Sequence, residues 1–248
     1  MENTMERWYS VIKRRVSVRK YTGSATRDEL RKLREIAKYM TTDDVRIVVG
    51  KTDGAFSPII GRTISGTDTF AAVLSKGKDN EYMIGMVGEA FVLECTAMGL
   101  GTCWTGKSYS KSAVYPSIKS DEQEKLCCVI AIGHYDNAPA KKKNRKDIFS
   151  LTGLNENAFK KLPEWQQSAI SCGQIAPSAL NAQPWEFDIL NSNSIQIANI
   201  SKNFGYGKID CGIAMLHIEV GAAHCGIYGD WQISDGLPVF TADYSMEA

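Results

Sequence analysis

Two long, almost entirely apolar stretches constrain the fold of this 248-residue chain more than any other feature. The first, EYMIGMVGEAFVLECTAMGLG, begins at Glu81, and the second, KIDCGIAMLHIEVGAAHCGIYGDW, begins at Lys208. At about twenty residues, each has the length of a membrane span. Glu89, Glu94 and several glycines interrupt the first stretch, so we predict helices buried in a protein core instead.

A similar order of elements surrounds each long helix. A helix is predicted over 26–40, where Thr26 and Glu29 form a capping box, and a second over 162–176. Short apolar strands follow both, and Gly-x4-Trp ends both long segments. We therefore interpret the chain as an internal duplication, with two unrelated α+β halves and a chance Gly–Trp spacing as the alternative.

The predicted fold class is α+β. Each half is expected to hold an antiparallel-rich sheet, with helices packed around the two long central helices. The predicted halves are residues 1–150 and residues 151–248.

Composition excludes several classes of protein. A net charge of +1 gives no support for binding to nucleic acid or to a membrane surface. The seven cysteines include no C-x-x-C pair, which argues against a disulfide framework and against a zinc site. The N-terminus resembles no signal peptide, so we expect a cytoplasmic protein with reduced thiols and without a metal.

Two basic segments are candidates for binding an anion. Arg15, Ser17 and Arg19 alternate, so an extended backbone would place them on one face, where two guanidinium groups and a hydroxyl suit a phosphate. Lys143 and Arg145, in the run KKKNRK, would share a face in the same way. Taken alone, each segment is equally compatible with a solvated surface.

A third candidate is the loop APSALNAQPWEF, which begins at Ala176. Pro177 and Pro184 fix φ at its two ends. Ser178 and Asn181 offer short polar side chains that can bond to backbone or to the edge of a planar ligand.

These segments resemble signature segments of the nitroreductase family of FMN-dependent oxidoreductases. RRVSVRKY and APSALNAQPWEF resemble two of its motifs, GLGTCWTG resembles its loop beside the flavin ring, and KNR resembles its late phosphate contact. The P-S-x-x-N-x-Q-P-W string is the most specific of them.

The order of the motifs departs from the family pattern. In a typical member the proline-serine-asparagine loop follows the basic motif after one helix, whereas here it follows the first helix of the second half. The arrangement resembles the two-half branch typified by a Thermotoga nitroreductase. By resemblance, one chain imitates the family homodimer, acts as a monomer and holds a single FMN between its halves.

The resemblance also implies roles for residues. Arg15, Ser17, Arg19, Lys143 and Arg145 would contact the phosphate and ribityl chain, and Thr105 and Gly106 would offer backbone groups near flavin N5. The isoalloxazine ring would be lined by Pro177, Ser178, Ala179 and Asn181, while Gln183 and Trp185 would anchor the loop. No catalytic side chain is identified.

The implied activity is transfer of electrons from NADH or NADPH, through FMN, to an electron-poor acceptor such as a nitroaromatic or a quinone. A non-catalytic FMN-binding or sensing protein and a flavin-degrading member of the same superfamily are the alternatives. A nicotinamide-binding fold is disfavoured because the glycines of GLGTCWTG follow a helix, not a strand.

Overall fold

The computed structural model describes residues 3–56, 64–77, 80–136 and 144–243. The chain forms two compact units that are not consecutive in sequence. The first unit is Arg14–Lys142, and the second combines Met1–Lys13 with Lys143–Ala248.

Eight α-helices and eight strands make up the described structure. The helices are α1 (Thr4–Ile12), α2 (Arg27–Met40), α3 (Glu81–Ala97), α4 (Lys111–Ile118), α5 (Ile148–Thr152), α6 (Glu156–Phe159), α7 (Glu164–Gln174) and α8 (Gly207–His224). The strands are β1 (Val45–Lys51), β2 (Thr69–Lys76), β3 (Gly101–Thr105), β4 (Glu124–Gly133), β5 (Trp185–Asn191), β6 (Ser194–Asn199), β7 (Tyr228–Ser234) and β8 (Leu237–Asp243).

Each unit holds one four-stranded antiparallel sheet. The strand order is β1-β2-β4-β3 in the first unit and β5-β6-β8-β7 in the second. The second order repeats the first with every strand advanced by four places along the chain. The predicted α+β class with two fused halves is confirmed.

The N-terminal helix belongs to the second unit. Helix α1 packs on α8, and Trp8, Val11 and Ile12 are buried. The first 13 residues are therefore grouped with the second half of the chain, which a single cut at residue 150 does not anticipate. A helix with one apolar face must bury it, and α8 supplies the surface.

The capping box begins α2 as predicted. The Thr26 hydroxyl accepts a hydrogen bond from the Glu29 N–H, and the Glu29 carboxylate accepts one from the Thr26 N–H at 2.8 Å. Leu33 and Ala37 form the buried stripe of the helix.

The two long segments form buried helices, but both helices end earlier than predicted. Gly99 and Gly226 have φ of 80° and 76°, and this left-handed conformation ends a helix. In both caps the glycine N–H bonds three residues back, and the next N–H bonds five residues back, to Cys95 in one and Ala222 in the other. The residues beyond form β3 and β7, so the prediction of helix there was wrong.

None of the described helices has the length and apolar character needed to cross a membrane. Each of the two long helices contains a buried acid. Glu89 lies in α3 and Asp210 in α8.

The first unit also contains a bidentate ion pair across its sheet. Arg46 on β1 donates from Nε to Glu124 Oε1 at 2.7 Å and from a terminal nitrogen to Oε2 at 2.5 Å. The Glu124 side chain is 1% exposed, and the hydrogen bond from Arg46 holds the pKa of this carboxyl below its usual range, although burial opposes that.

We expect Arg46→Met to lower the free energy of unfolding at neutral pH by about 1.5–3 kcal/mol, because it leaves a buried carboxylate without its charged donor. The pKa of Glu124 is depressed in the folded state, so the stabilisation exists above the unfolded pKa and is lost as pH falls through the folded one. Urea denaturation at neutral and acidic pH measures both effects.

The matched control is Arg31→Met. Arg31 pairs with Asp28 at 3.6 Å on the surface of α2, with both side chains more than two-thirds exposed. That exposed pair should contribute less than about 1 kcal/mol. Equal losses in the two variants would contradict a special role for the Arg46–Glu124 pair.

Candidate functional site

The basic segment is extended along the first unit's sheet, the conformation in which its alternating residues would share a face. The Val18 N–H donates to Thr102 O on β3 at 2.8 Å. On its other side, Ser65 N–H donates to Arg19 O at 3.0 Å, and Tyr21 N–H donates to Ser65 O at 2.9 Å. The backbone is thereby fixed on both sides.

Side chains of the segment alternate between the core and the opposite face. Val18 is buried in the hydrophobic core and Val16 packs against it, whereas Arg15, Ser17 and Arg19 are intermediate in exposure as whole residues, although the Arg15 side chain itself is largely buried. The one-sided placement of the three polar side chains follows from this alternation.

Arg15 lies against a buried acid of α3. Its Nε is 3.5 Å from Glu89 Oε1, and the two side chains are 6% and 0% exposed. The Trp104 indole N–H donates to Glu89 Oε2 at 2.8 Å. The indole can lie this close to α3 because Gly88 has no Cβ, which would otherwise be 2.2 Å from the ring.

The end of β3 carries the two residues predicted to lie near flavin N5. Thr105 is buried, and its hydroxyl has no hydrogen-bond partner among the described residues. Gly106 follows directly and is half-buried. An orphaned buried hydroxyl is costly unless a ligand or water satisfies it, so it is compatible with a polar group bound at this end of the strand.

The proline loop has an unusual backbone in the second unit. Leu180, Asn181 and Gln183 have positive φ values of 55°, 60° and 49°. A non-glycine residue in the left-handed region costs about 1–2 kcal/mol, so the surroundings must hold this conformation.

A dense set of hydrogen bonds holds the loop. Gln183 is buried, its carboxamide oxygen accepts from Lys146 N–H at 2.8 Å, and its own N–H donates to Ser178 Oγ at 2.9 Å. The Lys146 ammonium donates to Gln183 O at 3.0 Å. Trp185 is fully buried directly after the loop. The hydrogen bonds of Gln183 agree with its predicted anchoring role, and Trp185 is buried, as its predicted packing role requires.

Arg145 braces the same loop. Its guanidinium donates to Asn181 Oδ1 at 2.8 Å and to Ile175 O at 2.9 Å. Asn181 Nδ2 in turn donates to Asn144 O at 2.9 Å. Both polar ends of the Asn181 amide are therefore bonded within the second unit.

The buried carboxylate of Asp210 also holds the proline loop through hydrogen bonds. Asp210, in the first turn of α8, accepts the Ala179 N–H at 2.9 Å and the Asn203 amide N–H at 2.6 Å. Asn203 also donates to Ala179 O at 3.0 Å. Burial raises the pKa of Asp210 to about 6, although these donors oppose the shift.

The predicted site residues thus divide between the units. Arg15, Ser17, Arg19, Thr105 and Gly106 belong to the first unit. The second unit brings Arg145 together with Ser178, Ala179 and Asn181, and Pro177 is buried at the start of this loop. Lys143 lies outside the described residues.

Sequence patterns did not identify Glu89, Trp104, Asp210 or Asn203 as partners of these segments. The available signal was the rarity of an acid inside an apolar helix, because a buried charge requires partners. That signal marks Glu89 and Asp210 but not their partners: Arg15 lies 74 residues before Glu89, and Ala179 lies 31 residues before Asp210.

Two histidines and two cysteines of the described chain do not suggest a second reactive site. His217 is fully buried and donates from Nδ1 to Cys172 O at 3.0 Å, and His224 stacks on Tyr9. Burial raises the pKa of the Cys95 and Cys211 thiols. No group of three potential ligands able to hold a metal occurs among the described residues.

Comparison with known proteins agrees with this fold and with the motifs. A family model described as "Putative TM nitroreductase" matches residues 7–222. The chain belongs to this family. No curated protein matches the sequence.

Solved structures of nitroreductase-family proteins are similar to this member. A putative nitroreductase from Thermotoga maritima has a TM-score of 0.66 at 21% identity, covering 97% of this chain and 93% of that one. A Bacteroides fragilis nitroreductase with bound FMN is 19% identical, covers 56% of this chain and 94% of that one, and has a TM-score of 0.42. A putative NADH oxidase from Clostridium acetobutylicum is 20% identical over 56% of this chain and 96% of that one, also with a TM-score of 0.42.

The first of these structures supports the fold along nearly the whole chain. The family match supports a general role as an oxidoreductase of the nitroreductase type. The two-half organisation recognised in the sequence agrees with the two similar sheets.

Asp210 should give this protein a specific pH dependence of stability. Its folded pKa of about 6 is raised above the unfolded value of about 3.9, so ionisation costs the folded state free energy. The free energy of unfolding should therefore fall by about 3 kcal/mol between about pH 4 and about pH 6 from this group alone.

Asp210→Asn removes the titrating group, so this contribution to the slope should disappear. Urea denaturation of both proteins across that pH interval measures the difference. Parallel curves for the wild-type protein and the variant would show that Asp210 does not titrate in this range.

Proposed function

We propose that this chain is an FMN-dependent NAD(P)H oxidoreductase that reduces small electron-poor acceptors such as nitroaromatics and quinones. The observation that carries the proposal is the family match over residues 7–222, joined to the flavin motifs within that range. We further propose a cytoplasmic protein that works as a monomer, because one chain carries both complementary sets of motif residues.

The phosphate of FMN would be held by Arg15, Ser17 and Arg19, with Lys143 and Arg145. A rigid extended backbone and one-sided polar side chains support the first three assignments. Guanidinium groups bond phosphate oxygens in a forked geometry, which suits this role.

The ring of FMN would be contacted by Pro177, Ser178, Ala179 and Asn181, with backbone groups of Thr105 and Gly106 near N5. The orphaned Thr105 hydroxyl supports a polar ligand at the end of β3. In the loop, the amide of Asn181 and the N–H of Ala179 already have protein partners, so these two residues would act chiefly by shape.

FMN, when bound, supplies the chemistry by taking a hydride from NADH or NADPH and passing electrons to the acceptor. The protein's contribution is to bind and orient the reactants and to exclude competing reactions. The described chain accordingly needs no acid–base dyad or metal for this role. Its rigid, strained loop matches the need for a fixed binding surface.

The phosphate assignments predict selective effects on flavin affinity. Arg15→Ala and Arg19→Ala should each weaken FMN binding by roughly ten- to a hundredfold, because a charged hydrogen bond contributes about 1.5–3 kcal/mol. Riboflavin lacks the phosphate, so its affinity should change little. Fluorescence titration of both flavins measures the effect, and unchanged FMN affinity in both variants would refute the assignment.

Arg145→Ala separates two roles of one side chain. If Arg145 serves mainly as a brace for the loop, the affinities for FMN and for riboflavin should fall by the same factor. A loss confined to FMN would instead assign Arg145 to the phosphate, as the family resemblance implies.

The division of motifs predicts one FMN per chain. Flavin released by denaturation, measured against protein concentration after reconstitution with excess FMN, should give a ratio near one. A ratio near two would reject the proposed single site, and equilibrium sedimentation tests the monomer in the same sample.

Turnover distinguishes an enzyme from a flavin-binding protein. FMN-loaded protein should oxidise NADH or NADPH when a nitroaromatic or quinone is supplied, with parallel double-reciprocal lines if both reactants use the same site in turn. Intersecting lines would exclude that order of binding. Failure to oxidise either nucleotide with every acceptor would favour the non-catalytic binding or sensing alternative.

A further inference from the structure

Glu89 is a buried acid to which the proposed function assigns no role. It lies in the middle of α3, and its side chain is 0% exposed. Two segments with motif residues meet it: Arg15 of the basic segment at 3.5 Å, and Trp104 of β3 through a hydrogen bond of 2.8 Å.

The contact with Glu89 orients the Arg15 side chain through Nε and does not occupy its two terminal nitrogens. Nε faces Glu89, at a distance and angle that make an ion pair but not a hydrogen bond. The terminal nitrogens of Arg15 form no hydrogen bond with any residue in the described ranges. The forked end of the guanidinium, which is the part suited to phosphate oxygens, is thereby left to an anion.

Trp104 keeps the carboxylate in place. Its indole N–H bonds the second oxygen of Glu89, and its ring lies against α3 at Gly88. Glu89 therefore cannot rotate away from Arg15 without leaving the indole N–H unpaired in a buried position, which is unfavourable.

We infer that Glu89 is a positioning residue that sets Arg15 for the phosphate of the flavin. The inference rests on the proposed function, since it assigns Glu89 a role in that same site. An arginine side chain has many rotamers, and a partner that fixes it beforehand reduces the ordering cost of binding.

The charge of Glu89 also repels a phosphate, and this repulsion opposes the benefit of positioning Arg15. Glu89 meets Arg15 at Nε, and its charge is partly offset by that cation and by the indole donor. The Glu89–Arg15 pair is nearly neutral, so its electric field at the phosphate is weak. Without Glu89, the Arg15 side chain would turn from its 6%-exposed position towards water. Positioning should therefore outweigh repulsion.

The test compares FMN with riboflavin, because the ratio of their affinities isolates the phosphate contribution. Glu89→Gln retains the volume and an acceptor for Trp104 but removes the charge. It should lower this ratio about tenfold and leave riboflavin affinity unchanged. Arg15→Ala should lower the ratio at least as much, and the double variant should show no loss beyond Arg15→Ala, because Glu89 acts only through that residue.

Glu94→Gln is the matched control, as it replaces a second buried acid on the same helix. The ratio of FMN affinity to riboflavin affinity in this variant should equal that of the wild-type protein. Trp104→Phe serves as a second variant if Glu89→Gln does not fold. It removes the indole donor, retains the carboxylate, and should lower the ratio about threefold.

Each remaining outcome overturns the inference. An equal loss of FMN and riboflavin affinity in Glu89→Gln would mean a purely structural role, and an unchanged or higher ratio would mean that Glu89 does not position Arg15. If Arg15→Ala lowers the ratio and Glu89→Gln does not, the inference fails while the proposed function stands. If Arg15→Ala has no effect, both the phosphate assignment and the inference are wrong.

Discussion

The burial of two carboxylates, Glu89 in α3 and Asp210 in α8, is the constraint on which the candidate site depends. Removing a charge from water costs several kcal/mol unless donors and opposite charges compensate it. Glu89 of α3 is compensated by Arg15 and Trp104, and Asp210 of α8 by Ala179 N–H and Asn203. Arg15, Trp104 and Ala179 belong to segments that resemble flavin motifs, whereas Asn203 does not. The acids thus cost stability, while Glu89 holds the side chains of Arg15 and Trp104 and Asp210 holds the backbone of the proline loop.

The two units share the same structural features. Each has a four-stranded antiparallel sheet of corresponding order and a long buried helix that ends at a left-handed glycine. The functional motifs are nevertheless distributed unequally. The first unit holds the basic segment and the Thr105–Gly106 end of β3, and the second holds the proline loop with its brace, Arg145. The two halves therefore share a sheet topology, while each carries a different part of the motif set.

Local patterns in the sequence predicted those parts of the fold that depend on neighbouring residues. The Thr26–Glu29 capping box predicted the start of α2, and the alternation of Arg15 to Arg19 indicated which side chains share a face of an extended backbone. Strand β2 was not predicted because all but its last residue is buried, so it shows no alternation between apolar and polar positions. Strand β7 was not predicted because its first four residues were included in the second long helix, which ends before Gly226.

Long-range pairing explains why the candidate site was predicted only in part. Alternation indicated which side chains share a face, but the partners of Arg15 and Ala179 lie on other elements and depend on how helix and sheet pack. The same limit applies to Arg145, whose basic character predicted an anion contact and whose guanidinium lies on the Asn181 amide. A side chain with forked donors can serve an anion or a loop, and composition does not distinguish the two.

The most direct measurement of the central claim is anaerobic reduction of the FMN-loaded protein by NADH and by NADPH, followed through the flavin absorbance. The account predicts that at least one nucleotide bleaches the flavin, and that a quinone or nitroaromatic then restores the absorbance with the FMN recovered intact. Absence of bleaching with both nucleotides would contradict an oxidoreductase. Loss of FMN itself after oxygen is admitted would instead identify a flavin-degrading enzyme.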